Sequence, residues 1–227
     1  MSKNQKSYII GDIHGCKKSF EKLLERLSPG KDDLIFLLGD YVDRGPDSKG
    51  VVDIIFDLNA NGFNVDYLRG NHEQMLIDSI HSRYQFYNWL RNGAQSTLSS
   101  FSTHNPAGIP RKYLDFYKST KFYIELEDHI LVHGGLNFEH SNPFKDKLSM
   151  LWVRNNEVDM DKTNGKKLVV GHTPVSPEQI EQSLSTNKIM LDGGCVYDDK
   201  LRGLGNLVAL ELNSYELTFQ RNIDEYF

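Results

Sequence analysis

The chain has 227 residues, 26 basic and 31 acidic, with a net charge of -5. That length can bury most of its apolar surface as one domain, so a single domain over 1–227 is expected. No basic stretch suggests a nucleic-acid groove or an anionic membrane surface, residues 1–7 are polar, and no apolar run approaches the ~20 residues of a membrane span, so a cytoplasmic protein is expected. Cys16 and Cys195 are too few for a disulfide framework and read as reduced, partly buried thiols. Cys16 follows a glycine and opens a helix, where a thiolate would be favoured, so oxidative inactivation there is the lesser alternative to a reduced, partly buried thiol.

Tyr8-Ile9-Ile10 reads as a buried strand and ends in Gly11-Asp12-Ile13-His14-Gly15. Over residues 16–27, Phe20, Leu23, Leu24 and Leu27 fall at i, i+3, i+4 and i+7, an amphipathic helix ending before Ser28-Pro29-Gly30. Leu34 to Leu38 is a second strand, ending in Gly39-Asp40-Tyr41-Val42-Asp43-Arg44-Gly45, and residues 48–61 form a second helix capped by Gly62. A third strand, Val65 to Leu68, leads into Arg69-Gly70-Asn71-His72-Glu73.

Short helices follow at approximately 73–81, 84–92, 94–101 and 110–119, interrupted by Gly93 and by the loop 102–108, a helical insertion over about 73–120 rather than a domain. Its aromatics Tyr84, Phe86, Tyr87, Trp89, Phe101, Tyr113, Phe116 and Tyr117 are expected to pack these helices together, a minority of them rimming a site. Strands Ile130-Leu131-Val132 and Leu168-Val169-Val170 end in His133-Gly134-Gly135 and Gly171-His172-Thr173. Lys188 to Leu191 leads into Asp192-Gly-Gly-Cys-Val-Tyr197, and Leu207 to Leu212 with Tyr215 to Gln220 reads as a closing hairpin.

Ligand-type residues thus stand repeatedly where strands end, and in an open α/β protein those ends line one crevice. Asp12, His14, Asp40, Asn71, His133 and His172 offer oxygen and imidazole donors without thiolate, a set suited to divalent cations rather than to a structural zinc cage. Two cations use all six, with Asp40 as the bridge, and can clamp both the attacking and leaving oxygens of an in-line displacement. Asn71 adds an oxygen ligand without adding charge, which keeps the cluster attractive to phosphate. Asp47, His81, His104, His129 and His140 lack this context and default to surface or packing roles.

The five segments, taken together, resemble the signature of the phosphoprotein phosphatase family of metallophosphoesterases from about residue 8 to about residue 195. The resemblance implies two mixed β-sheets packed as a sandwich with flanking helices, the calcineurin-like fold. It places Asp12, His14 and Asp40 on one metal, and Asp40, Asn71, His133 and His172 on the other. The metals expected are two divalent ions, manganese first, with iron, zinc or magnesium as alternatives. Leu151-Trp152-Val153-Arg154 is most similar to the bacterial and phage-type serine/threonine phosphatases, in which an arginine at that place binds phosphate.

The mechanism expected is direct attack on phosphorus by a metal-bridging hydroxide, with no phosphoenzyme. Arg44 and Arg154, with Asn71, would hold the phosphate oxygens through planar or amide donors. His72 would protonate the leaving oxygen, with Asp43 stabilising its imidazolium form. Glu73 reads as structural. The first expectation is therefore a phosphoric monoester hydrolase acting on phosphoserine or phosphothreonine in a protein or peptide. The alternative is a symmetrical dinucleoside polyphosphate hydrolase on the same site, toward which the Gly-Cys-Val stretch at 194–196 points. A non-enzymatic metal-dependent binding module is the weakest reading, since it has no use for the His72–Asp43 pair.

Overall fold

The computed structural model describes residues 5–155, 157–197 and 203–225. One sheet contains β1 (Ser7–Ile10), β2 (Leu34–Leu37), β3 (Asn64–Tyr67), β8 (Asn206–Glu211) and β9 (Glu216–Arg221), in the order β3-β2-β1-β8-β9. Its first three strands run parallel, and β8 and β9 form an antiparallel hairpin against β1. The other sheet has the order β4-β5-β6-β7, from β4 (Tyr123–Glu125), β5 (His129–Val132), β6 (Lys167–Val170) and β7 (Lys188–Met190). There β5, β6 and β7 are parallel and β4 is antiparallel to β5.

The two-residue period of the strands divides their apolar side chains between two faces. Ile9, Phe36, Val208 and Leu210 meet Leu131, Val169 and Ile189 in the layer between the sheets. Ile10, Ile35, Leu37, Leu207 and Ala209 face outward onto α1 (Lys17–Leu27), α2 (Ser48–Ala60) and the inserted helices. On the far side Ile130, Val132, Leu168 and Val170 pack with Met150 of α7 (Lys147–Trp152). Burial on both faces explains why the central strands read as unbroken apolar runs rather than as alternating ones.

The inserted helices are α3 (Asn71–Ser79), α4 (Arg83–Arg91), α5 (Ala94–Ser100) and α6 (Arg111–Ser119), close to the expected spans. Most of their aromatics are packed inward with the outer face of the first sheet, whereas Tyr84 is 78% and Tyr87 48% exposed. The first helix stops where Ser28 turns left-handed, and the second is followed by Gly62 at φ 78°. Strand β4, helix α7 and helix α8 (Pro177–Ser183) are additions that the sequence reading did not contain. The first two are only 3 and 6 residues long, too short for a periodic signal. No helix among the described residues is long and apolar enough to cross a membrane.

Leu131 is fully buried between the sheets. Leu131→Ala should lower unfolding stability by about 2–5 kcal/mol, read from urea denaturation. A loss below about 1 kcal/mol would mean that the layer relaxes into the gap.

Candidate dimetal active site

The parallel strands of both sheets end at the same edge, and every expected ligand lies there. Asp12 and His14 follow β1, Asp40 follows β2, Asn71 follows β3, His133 follows β5 and His172 follows β6. All six are buried. Asp40 is the hub: its Oδ2 lies 3.5 Å from His14 Nε2 and 3.4 Å from His133 Nε2, while its Oδ1 accepts the His72 backbone N–H. Two trios of metal-competent side chains share it, His14–Asp40–His72 and Asp40–His133–His172.

Backbone carbonyls fix the imidazoles. His14 Nδ1 lies 2.9 Å from the Val42 carbonyl and His133 Nδ1 lies 2.9 Å from that of Leu38, so each Nδ1–H donates outward and Nε2 faces the cluster. Asn71 Oδ1 lies 2.9 Å from both His133 Nε2 and His172 Nδ1. Asp12 Oδ2 accepts the backbone N–H of His172, tying the two sheets together, and its Oδ1 is buried with no hydrogen-bond partner among the described residues. Converging lone pairs and an orphaned carboxylate oxygen, all out of water, are what a pair of divalent cations would satisfy, so the donor set fits them.

The ionisation pattern has the same cause. Burial opposes charge on Asp40, but the surrounding His133, His72 and His14 hold it well below the usual carboxylate range. Burial, then Asp192 beside it, pushes Asp12 well up. His133 moves up to about 10: burial disfavours its charge, but Asp40 and Asp12 outweigh that. Burial lowers His172 to about 3 and lifts Asp192 to about 6.

His72 Nδ1 donates to Asp43 Oδ2 at 2.7 Å, the acid and carboxylate pairing expected from the sequence. The same carboxylate accepts from Trp89 Nε1 at 2.7 Å and from Thr97 Oγ1 at 2.6 Å. These two partners were not singled out in the sequence, because both come from the insertion and carry no motif. His72 also stands edge-on to His14, ring centroids 4.7 Å apart, so its Nε2 looks into the cluster.

Arg44 Nη1 reaches His14 Nε2 at 2.7 Å, and its backbone N–H donates to the Gly93 carbonyl, a second contact from the insertion. Arg154 is exposed, on the far side of His172. Glu73 is fully buried and receives N–H groups from Asp40, Tyr41, Val42 and Gly70, so it clamps the Asp40 loop. Burial raises its pKa to about 7. Close approach fixes two glycines: a Cβ on Gly70 would stand 2.0 Å from Asp40 Oδ1, and one on Gly171 2.1 Å from Asp12 Oδ1.

Among the residues set aside in the sequence, Asp47 caps α2 and His129 hydrogen-bonds Tyr215, while His81, His104 and His140 are exposed. The cysteines correct an expectation of partial burial. Both are completely enclosed, with Cys16 Sγ donating to the His14 carbonyl and the hydrogen bond from Cys16, then burial, raising the Cys195 thiol. The site of α1 expected to favour a reactive thiolate is thus shielded by the core.

The chain belongs to the calcineurin-like phosphoesterase family, whose profile matches residues 6–201. It is therefore a metal-dependent phosphoesterase. It is 28% identical to the asymmetrical bis(5'-nucleosyl)-tetraphosphatase PrpE of Oceanobacillus iheyensis over 85% of each chain. It is 27% identical to the protein of the same name from Bacillus cereus strain Q1, over 86% of this chain and 88% of that one. A yeast protein serine/threonine phosphatase with similarity to human PP5 superposes with a TM-score of 0.68 at 17% identity, covering 99% of this chain and 82% of the other. A structure provisionally described as a diadenosine tetraphosphatase gives 0.64 at 20% identity, over 99% and 96%. At such identities these two show the shared fold alone.

The raised His133 gives a signed prediction. It holds a proton at neutral pH that ligation must displace, so manganese binding should release protons and tighten as pH rises. Calorimetric titrations in two buffers of different ionisation enthalpy should report release of about one proton or more. Heats independent of buffer would contradict this. Separately, Trp89→Phe and Thr97→Val should each lower kcat on a phosphoserine peptide more than on p-nitrophenyl phosphate, with manganese content unchanged. Equal losses on both substrates would remove the insertion from any role in holding Asp43.

Proposed function

We propose that this chain is a dinucleoside polyphosphate hydrolase working through one domain and the six-ligand cluster described above. The observation that carries the reading is the likeness, over 85% of both chains, to an asymmetrical bis(5'-nucleosyl)-tetraphosphatase. The mouth of the site supports it. Trp152 and Tyr197 are each 37% exposed, Trp152 edge-on to His172 at 5.9 Å and the Tyr197 ring 5.7 Å from the Arg44 guanidinium carbon. Partly exposed aromatic faces beside a phosphate-binding arginine are platforms on which nucleobases stack.

Asp12, His14 and Asp40 would hold one divalent cation and Asp40, Asn71, His133 and His172 the other, manganese being the first candidate. When bound, such cations supply Lewis-acid charge that polarises phosphoryl oxygens and acidifies water. The chain's own residues do the rest. Arg44 and Arg154 present planar donor forks to phosphate oxygens and stabilise charge that spreads over them, while the Asn71 amide lies at the centre of the cluster. His72, held by Asp43 through Nδ1, presents Nε2 as the donor of a proton to the departing oxygen. Trp89 and Thr97 keep that carboxylate fixed and solvated by the protein.

A second reading, a serine/threonine phosphatase of the phosphoprotein phosphatase family acting on a phosphorylated protein or peptide, is favoured by the His72–Asp43 pair itself. An alkoxide leaving group needs a proton more than a phosphate leaving group does.

Side-by-side rates with manganese on diadenosine tetraphosphate and on phosphoserine, phosphothreonine and phosphotyrosine peptides separate the two. The dinucleotide should give the highest kcat/KM; a peptide ahead of it by about tenfold, or 1.4 kcal/mol, would establish the second reading instead. On the dinucleotide, Arg44→Ala and Arg154→Ala should each cost about 1.5–3 kcal/mol in kcat/KM without loss of metal.

A further inference from the structure

Next to the cluster, on the far side of His172, lies a cavity of about 420 Å³ between the end of β6, helix α8 and strand β7. Arg154 and Thr173 border it at the end nearest the cluster, Gln179 and Gln182 line the helix side, and Lys188 lines the strand side. No aspartate or glutamate among the described residues lines it. Gly171 and Thr173, which flank His172, both line the cavity, so its mouth adjoins the cluster.

Lys188 is the anomalous group here. It is 9% exposed, and its Nζ donates to the backbone carbonyl of Asn155, the residue that follows Arg154. Burial lowers its pKa, and no carboxylate among the described residues acts to raise it again. A buried ammonium without a counter-ion is unfavourable unless something else supplies the charge. The hydroxyls of Ser183 and Thr186 on the same wall donate to carbonyls of Ile180, Ser183 and Lys188, so they supply none. Two cations tied to one short segment, an acid-free wall and an opening beside the cluster together define a receptor for negative charge.

We propose that this cavity is an anion subsite that takes the phosphate groups lying beyond the one being cleaved, with Lys188 and Arg154 as their partners. The identity of the anion rests on the polyphosphate reading given above; the existence of the subsite does not. Lys188 enters β7 and the strand runs from there toward the cluster, rising about 3.3 Å per residue. The Lys188 ammonium sits against Asn155 beside Arg154, so a short phosphate chain threaded from the cluster past Arg154 would engage both cations. An orthophosphate in the cluster would leave Lys188 untouched.

The test uses p-nitrophenyl phosphate hydrolysis by the manganese-loaded enzyme, with inorganic tripolyphosphate and orthophosphate as competing ligands at constant free manganese. Lys188→Met should raise the inhibition constant of tripolyphosphate about tenfold, which is 1.4 kcal/mol, and leave that of orthophosphate and kcat within about twofold. Lys188→Arg should restore most of the affinity. Gln182→Glu places a carboxylate on the exposed helix side without touching the core, and should weaken tripolyphosphate in the same selective way. Unchanged tripolyphosphate inhibition in the variants that fold, or equal weakening of both ligands, would overturn the subsite. The probe carries no nucleoside, so a selective loss combined with no turnover of diadenosine tetraphosphate would sink the dinucleotide reading and leave the subsite standing.

Discussion

The buried carboxylate of Asp40 is the constraint around which the site is organised. One of its oxygens accepts the His72 backbone N–H, and the other faces the imidazoles of both His14 and His133. A carboxylate so deeply buried would ordinarily be neutralised, and the density of imidazole around it is what keeps it ionised. Against its burial, Asp40 and Asp12 in turn hold His133 up to about 10, so the cluster gathers donor atoms that a divalent cation would satisfy once that proton is displaced. Glu73, entirely enclosed, anchors the loop that carries Asp40 by accepting four backbone N–H groups, so the position of the hub is decided by a residue with no exposed surface.

Holding these groups in place strains the backbone. His14, Asp40, Asp43, Arg44 and His172 all take positive φ, between 47° and 73°. Left-handed backbone costs a residue with a Cβ roughly 1–2 kcal/mol, and here it falls on side chains proposed to ligate, position or bind phosphate. The strain is sustained because the layer between the two sheets and the clamp at Glu73 over-determine the loops. A glycine at any of these positions would relieve the backbone and delete the chemistry.

The helical insertion is part of the site rather than an ornament on it. Trp89 and Thr97 give Asp43 its remaining hydrogen bonds, and the Gly93 carbonyl receives the Arg44 N–H. The Asp43 carboxylate is fully buried and receives three side-chain donors, so its orientation toward His72 is set by residues about fifty positions further along the chain. The β7–α8 side contributes the opposite kind of environment, an open, acid-free cavity with cations at its wall. One wall of the site thus fixes the His72–Asp43 pair, and the other offers space and positive charge.

The sequence by itself determined the central strands, because residues buried on both faces must be apolar without interruption, and it marked the candidate ligands, because each follows such a run at the strand's end. Asp12, His14, Asp40, Asn71, His133 and His172 were legible for that reason, as were the amphipathic α1 and the hairpin of β8 and β9. Short elements such as β4 and α7 were not, since 3 or 6 residues hold too little periodicity to distinguish them from loop. Only the tertiary structure decided what carries no local signature: Trp89 and Thr97 on Asp43, Glu73 on three loop amides and Gly70, the complete burial of Cys16, and Lys188 buried beside Arg154 with no counter-ion among the described residues. These depend on which distant side chains share a volume without water. A hydrogen bond or a missing counter-ion is a property of that volume, not of the residue's neighbours along the chain.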